Sequence, residues 1–190
     1  MTDSDLPKNT RPPDRSLSPA MIGLVAVLIA LTAVVTVVPP KFLTTAKGYF
    51  NLSDVMITFS SLIFGPWVGM VTGGVGTALA DLYSGFAPFA PLSFLAHGAE
   101  GFLIGWLGRG QRSVGRMILA WFVGSVAMVA IYLVGEGLFY TGWPLALGEV
   151  PVNVIQALLG AIIGIPLVLA VRKAYPPIDR IGQRGQWTEE

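Results

Sequence analysis

The sequence predicts an all-α integral membrane protein, a bundle of six transmembrane helices with both termini in the cytoplasm. Of its 190 residues, 53% are hydrophobic and only 12% are charged. A soluble domain typically carries about 25% charged residues. The mean hydropathy of +0.67 is typical of an integral membrane protein. The length allows one compact bundle and no second domain.

The positions of the basic residues predict the number of helices. All twelve Lys and Arg residues fall into four clusters, which leave 16–40, 48–108 and 117–171 without a basic residue. Because a spanning helix needs about 20 apolar residues, these intervals fit one, three shortish and two helices. The positive-inside rule places the richer clusters in the cytoplasm, with Lys41 and Lys47 outside. That arrangement requires an odd number of crossings in the second interval and an even number in the third.

Helix breakers predict where the helices end. Gly65-Pro66 separates the second helix from the third, and Ser84–Pro91 separates the third from the fourth. The segment Thr141–Pro144 begins the loop between the last two helices. The predicted helices are 19–38, 53–64, 66–82, 92–108, 115–139 and 151–171.

The predicted membrane domain occupies residues 18–174. Residues 1–17 and 175–190 are polar and contain proline, which is typical of disordered cytoplasmic tails. The first apolar run is long and lacks a small-residue cleavage site, so we expect a retained span and not a signal peptide. The net charge of +1 gives no indication of nucleic-acid binding. The absence of cysteine excludes disulfides, thiolate metal sites and cysteine catalysis.

Three consecutive helices each carry two polar side chains one helical turn apart, which therefore share a face. In the predicted topology all of them lie in the outer half of the bundle. Ionisable groups inside a membrane usually face the bundle interior or a water-filled cavity. The pattern predicts a pocket that opens to the outside. The pairs are His97/Glu100, Glu136/Tyr140 and Asn153/Gln156.

Each of these groups also has a structural interpretation. In this interpretation His97 and Glu100 form hydrogen bonds with each other as a buried structural pair. Glu136/Tyr140 is then an interfacial pair and Asn153/Gln156 an interhelical contact. Asp54 and Asp81 are predicted at helix ends in the headgroup region, where capping and interfacial carboxylates are common. We therefore interpret these two aspartates as rim or structural groups.

Small residues recur every four positions and predict closely packed helices. Helix 1 carries Ala26 and Ala30 in this spacing, which alone is an unspecific pattern. The glycines with the same spacing are Gly65/Gly69/Gly73, Gly101/Gly105 and Gly160/Gly164.

Two segments resemble a known family. GYFNLSDVMITFSSLIFGPWVGMVTGGVGTALADL is similar to the helix 2–3 region of S components of energy-coupling factor (ECF) vitamin transporters. PVNVIQALLGAIIGIPLVLAVRK is similar to their sixth helix. The resemblance covers roughly residues 19–173, and the FGP turn followed by a glycine-rich helix and a closing Asp is its most specific part. Chain length, six spans and both termini inside agree with the same family.

The resemblance implies a multi-pass protein of a prokaryotic cytoplasmic membrane that binds a vitamin-like small molecule with high affinity and is not an enzyme. Its expected partners are membrane lipid, a T component and two ABC-type ATPases. No cofactor and no nucleic acid are expected. Ala26 and Ala30 would form the surface that docks the T component. The ligand would lie near the outer face, under the loop Pro40–Asn51.

The predicted pocket is acidic and aromatic. Anionic vitamins favour a fixed arginine, and the outer halves of helices 2 to 6 have none. We therefore expect a neutral or cationic heterocycle, such as thiamine, its pyrimidine precursor, a pyridoxine-type vitamer or a deazaguanine base. Among these we favour a thiamine-like or pyrimidine-like ring, unless Lys41 reaches in from the loop. The predicted substrate-binding residues are His97, Glu100, Glu136, Tyr140, Trp143, Asn153, Gln156, Tyr49 and Phe50.

Two alternatives remain open at this point. One is a solitary carrier that works without the ATPase module. The other is an intramembrane enzyme in which His97, Glu100 and Glu136 hold a metal or activate water. The chain has one histidine and no HExxH motif, so we expect no catalytic residue and no metal.

Overall fold

The computed structural model of the chain describes residues 19–38 and 51–183, apart from the side chains at 180, 182 and 183. In these two ranges the regular structure is entirely helical, with six long helices and one short one. A 3₁₀ turn at Ala87–Phe89 precedes the fourth helix. The helices are α1 (Pro19–Val37), α2 (Ser53–Phe64), α3 (Pro66–Ser84), α4 (Ala90–Gly108), α5 (Val114–Tyr140), α6 (Trp143–Ala174) and α7 (Ile178–Gln183).

The six predicted helices are confirmed, and the largest difference is the start of α6. This helix begins at Trp143 and not at residue 151. Pro144 occupies its first turn, where proline costs no hydrogen bond, and Pro151 lies inside the helix. Glu149 is therefore a helical residue and not a loop residue. The turn before α6 is confirmed, since Gly142 has a φ of 80°.

Three segments are long and apolar enough to cross a membrane by length and composition alone. They are Pro19–Val37, Val114–Tyr140 and Trp143–Ala174. With 12 residues, α2 is about 18 Å long. The helices α3 and α4 have 19 residues each and are rich in glycine and polar side chains. The cytoplasmic placement of both termini stays a prediction.

Glycines bring α3 and α4 into backbone contact, as their spacing predicts. A Cβ on Gly69 would lie 2.6 Å from the carbonyl oxygen of Gly101. A Cβ on Gly73 would lie 2.6 Å from the carbonyl oxygen of His97. Gly65 has a φ of 94°, which the sharp turn between α2 and α3 requires.

Two π-helical turns interrupt the long helices, at Glu136–Tyr140 in α5 and at Gly160–Gly164 in α6. Such turns are frequent at functional sites. In α6 the π turn packs against α2, where a Cβ on Gly160 would lie 2.7 Å from the Cβ of Asp54.

The two halves of the bundle differ in what they bury. In the half that contains the α2–α3 turn, which we call the apolar half, the buried hydrophobic side chains form one cluster, beside buried hydroxyl groups such as those of Ser60 and Thr72. Arg172 links α6 to neighbouring segments at this end of the bundle. Its guanidinium donates hydrogen bonds to the carbonyl oxygens of Gln111 (2.8 Å) and Leu62 (3.2 Å) and to the carboxylate of Asp179 (2.8 Å). The cluster comprises Leu28, Leu62, Ile63, Phe64, Val68, Ile104, Met117, Ile165 and Val168.

Candidate functional site

The opposite half, which we call the pocket half, contains a polar cavity of about 60 Å³. Side chains from α1, α3, α4, α5 and α6 converge on it, together with Asn51 and the link between α3 and α4. The lining residues are Thr36, Asn51, Thr77, Asp81, Phe86, Phe89, Ser93, His97, Tyr132, Glu136, Glu149, Val152, Asn153 and Gln156.

Four of the nine predicted binding residues line this cavity: His97, Glu136, Asn153 and Gln156. Glu100 lies beneath the cavity, where its Oε2 is 3.0 Å from Nδ1 of His97. The structure thus brings together at one site polar groups that the sequence placed on three separate helices.

Other predicted binding residues do not reach the cavity. Tyr140 stacks on Phe89 with ring centroids 5.0 Å apart, so it lies behind a lining residue. Trp143 is 47% exposed and packs near Gly137. Its position differs from the prediction because Trp143 begins α6 and does not belong to a loop over the pocket. Tyr49 and Phe50 lie outside the described residues, as does the rest of the predicted loop Pro40–Asn51 except Asn51.

The sequence did not predict a chain of hydrogen bonds that lies on the cavity wall. The hydroxyl of Tyr132 donates to Ser93 Oγ at 2.8 Å, and Ser93 Oγ donates to Asp81 Oδ2 at 2.5 Å. The missed signal is helical periodicity, since Ser93 precedes His97 by one turn and Tyr132 precedes Glu136 by one turn. Extending each predicted pair by one turn on its own face would have found both residues.

The cavity is acidic. Asp81, Glu136 and Glu149 contribute three carboxylates, and no lysine or arginine is among the described residues that line it. Oε2 of Glu136 is buried and has no hydrogen-bond partner. A buried carboxylate oxygen without a partner is costly, so the cavity is suited to a ligand that brings a donor or a positive charge.

Asp54, His97 and Glu100 form what we call the buried cluster, directly below the cavity. Asp54 and Glu100 are fully buried and His97 is 1% exposed. Nδ1 of His97 lies 3.0 Å from Glu100 Oε2 and 3.5 Å from Asp54 Oδ1. Asp54 lies in the first turn of α2, as predicted, but it is not a rim group, because packing of α2 inside the bundle removes its side chain from solvent.

Neighbouring side chains hold one oxygen of each carboxylate in the buried cluster. Gln156 Nε2 and Ser53 Oγ both donate to Asp54 Oδ1 at 3.0 Å. Ser125 Oγ donates to Glu100 Oε1 at 3.4 Å. Asp54 Oδ2 is buried without a hydrogen-bond partner.

A glycine in an adjacent helix faces each member of the buried cluster. Gly73 lies against the backbone of His97, and Gly160 lies against Asp54. A Cβ on Gly124 would lie 2.8 Å from the carbonyl oxygen of Glu100. Side chains at these positions would separate the helices, so the glycines are what allows three ionisable groups from two helices to meet.

On the outer surface of α1, the side chains of Ala26 and Ala30 are both exposed and share one face. Gly23 lies near the same stripe, and a Cβ added to it would meet no atom within 4 Å. Nothing in the described bundle covers this strip of small residues.

Comparison with known proteins places the chain among transporter subunits. The family model for "ECF-type riboflavin transporter, S component" matches residues 16–173. An uncharacterized protein in the gap 3' region of Pyrococcus woesei is 36% identical over 133 residues, covering 70% of this chain and 88% of that protein.

Two further similar proteins have names that state a function or a ligand. The thiamine precursor transporter HmpT of Lactococcus lactis subsp. cremoris is 28% identical over 165 residues, covering 82% of this chain and 87% of that protein. The crystal structure of FolT bound with folic acid superposes with a TM-score of 0.53 at 21% identity, covering 77% of this chain and 92% of that chain. At this identity the FolT match shows the shared fold alone.

Proposed function

Because the chain belongs to the S-component family of ECF-type transporters, whose members are transporter subunits and not enzymes, we propose that it captures a small neutral or cationic nitrogen heterocycle. The proposed ligand is a thiamine-like or pyrimidine-like ring. The family supports a vitamin-type substrate, and the chemistry of the cavity supports this narrower class.

The observation that carries the proposal is the acidic lining of the cavity. Three carboxylates face it, and the described lining contains no lysine or arginine. An anionic vitamin would leave its own charge and these carboxylates without compensation, which is unfavourable in a poorly solvated site. A ring with amino groups or a positive charge would instead form charge-assisted hydrogen bonds with them.

The lining offers a role for each part of such a ring. Glu136, whose Oε2 has no partner, is placed to accept a hydrogen bond from an amino group or to pair with a ring cation. Phe86 and Phe89 provide aromatic faces for a flat ring. The amides of Asn153 and Gln156 can donate and accept, which suits ring nitrogens and hydroxyl groups.

A similar protein supports the same class of ligand. The relative from Lactococcus lactis is named as a thiamine precursor transporter, and its name supports a thiamine-type ring for this chain.

The transport step requires partners. We propose that the ligand enters from the outer face of a prokaryotic cytoplasmic membrane, with both termini inside, and that a T component and two ABC-type ATPases drive its release. The exposed strip at Ala26 and Ala30 supports a docking surface on α1, because small residues let another helix approach closely.

Mass spectrometry of ligand carried through purification tests the substrate class, followed by titration with thiamine, its pyrimidine precursor and riboflavin. We expect a thiamine-type ring to bind and Glu136→Gln to weaken its binding about tenfold, because one charge-assisted hydrogen bond is replaced by a neutral one. Asp179→Asn, which removes a carboxylate from the other end of the bundle, should leave affinity unchanged. Binding of riboflavin alone, or of an anionic vitamin, would refute the proposed ligand class.

Co-purification with a T component tests the partner assignment. Ala26→Trp and Ala30→Trp should each prevent assembly by forcing the helices apart, while ligand affinity stays unchanged. Leu119→Trp is the matched control, since Leu119 is 61% exposed on α5 and lies outside the proposed surface. If the wild-type chain transports ligand without any T component or ATPase, the solitary-carrier alternative is correct instead.

A further inference from the structure

We infer that Asp54, His97 and Glu100 form a binding site for one divalent transition-metal ion of the zinc type, at the floor of the cavity. Neither the family description nor the names of the relatives mention a metal at this position. The sequence led us to expect none, because the chain has one histidine and no HExxH motif.

The first argument is the spacing of the donor atoms. One ligand atom from each residue can be chosen so that all three lie within 4.8 Å of one another. Tetrahedral zinc with bonds of about 2.0–2.2 Å places its ligand atoms roughly 3.3–3.6 Å apart. His97 Nδ1 lies 3.0 Å from Glu100 Oε2, a little short of this range, and 3.5 Å from Asp54 Oδ1, whose carboxylate also carries the unpartnered oxygen Oδ2. Small shifts of side chains would therefore complete the coordination.

The second argument is that the two buried carboxylates lack enough positive charge nearby to balance them. Asp54 and Glu100 are fully buried, and His97 is the only basic group within ion-pair distance of either among the described residues. When both carboxyl groups are ionised, one imidazolium can balance only one of them. A divalent cation would balance both, and imidazole with carboxylate is a donor set that zinc and its neighbours accept.

The third argument is the outer layer of hydrogen bonds. Protein donors hold Asp54 Oδ1 and Glu100 Oε1, while Asp54 Oδ2 is left without a partner and Glu100 Oε2 points at His97. Metal sites commonly show this division, in which outer hydrogen bonds orient the carboxylates whose other oxygens bind the ion.

An entry path is also present. His97 and Gln156 line the cavity and contact Asp54, so they form the boundary between the cavity and the buried cluster. An ion that reaches the cavity has only this layer to pass. The three residues thus satisfy the requirements of ligand number, distance, supporting hydrogen bonds and access that a predicted metal site must meet.

The wild-type chain tests the inference directly. The purified protein is treated with a chelator and then titrated with Co²⁺, whose visible absorption reports low-coordinate nitrogen and oxygen ligation, with Zn²⁺ as competitor. We expect one Co²⁺ per chain, displaced by Zn²⁺, and a higher temperature of unfolding in the loaded protein. Failure of the wild-type chain to bind Co²⁺ or Zn²⁺ in this titration would overturn the inference.

Variants assign the ligands. Asp54→Asn and Glu100→Gln should each reduce Co²⁺ affinity at least about tenfold, because each removes a ligand charge. Glu136→Gln is the matched control, since it neutralises a carboxylate of the cavity that is not in the buried cluster. Equal loss in Glu136→Gln would place the ion in the cavity and overturn the assignment. If the cluster variants fail to fold, the spectrum of the wild-type protein still decides.

The result is independent of the proposed vitamin. Titration with a thiamine-type ring is measured separately on the metal-free and metal-loaded protein. A chain that binds metal and no such ring refutes the proposed ligand class alone, whereas a chain that binds the ring and no metal refutes only the metal site.

Discussion

The apolar half and the pocket half of the bundle are built from the same helices, yet among the described residues the buried ionisable side chains all belong to the pocket half. The apolar half encloses one continuous hydrophobic cluster around Ile104 and Leu62. The pocket half buries the ionisable residues Asp54, His97 and Glu100, and within the described part of the chain its hydrophobic cluster has three buried members, Ala96, Met128 and Ala157. The difference supports a division in which the apolar half maintains the fold and the pocket half carries the proposed binding chemistry.

Both halves depend on the contact between α3 and α4, so breaking it should have the largest effect of all. A Cβ on Gly101 would overlap the carbonyl of Gly69, and the backbone there cannot yield without separating the helices. Gly101→Leu should therefore prevent recovery of folded protein, measured by size-exclusion chromatography in detergent. Gly23→Leu introduces the same side chain where no atom lies within 4 Å, and should leave the yield unchanged. Equal loss in both variants would contradict the proposed role of the contact.

The next largest effect should come from the apolar half alone. Ile104 is fully buried in its hydrophobic cluster, and Ile104→Ala leaves a cavity there. We expect the free energy of unfolding to fall by about 1–3 kcal/mol, because the packing contacts around the cavity are lost. Transfer of the side chain out of the core contributes little, since lipid is as apolar as the core. Ligand affinity should stay within about twofold, which thermal unfolding and ligand titration on the same sample can check. A large loss of affinity would show that the two halves do not act separately.

Much of this division could be predicted from the sequence. The intervals without basic residues gave the number of helices, and the spacing of His97 and Glu100 placed them on one face. Periodicity along one helix predicts such pairs because it depends only on local geometry. The glycine repeats predicted close packing of the helices that carry them for the same reason, since close approach needs only the absence of a side chain. They did not predict that α3 and α4 would contact each other.

The buried cluster could not be predicted in this way. Asp54 lies far from His97 in the chain and reaches it only because α2 packs between its neighbours, with Gly160 of α6 against its Cβ. No local pattern specifies which helix a face will meet. The start of α6 was missed for a related reason, because Pro151 suggests a helix terminus when it is seen without the packing that tolerates it.

The smallest effect is expected at Trp143, at the far edge of the pocket half. An aromatic residue in a loop over the pocket would contribute stacking energy, and its removal would weaken binding. Trp143 instead starts α6, packs near Gly137 and is 47% exposed. Trp143→Ala should therefore change ligand affinity by less than about threefold, against about tenfold for Glu136→Gln. A larger loss, measured by the same titration, would mean that bound ligand draws the start of α6 over the cavity, and the pocket half would then extend to its aromatic edge.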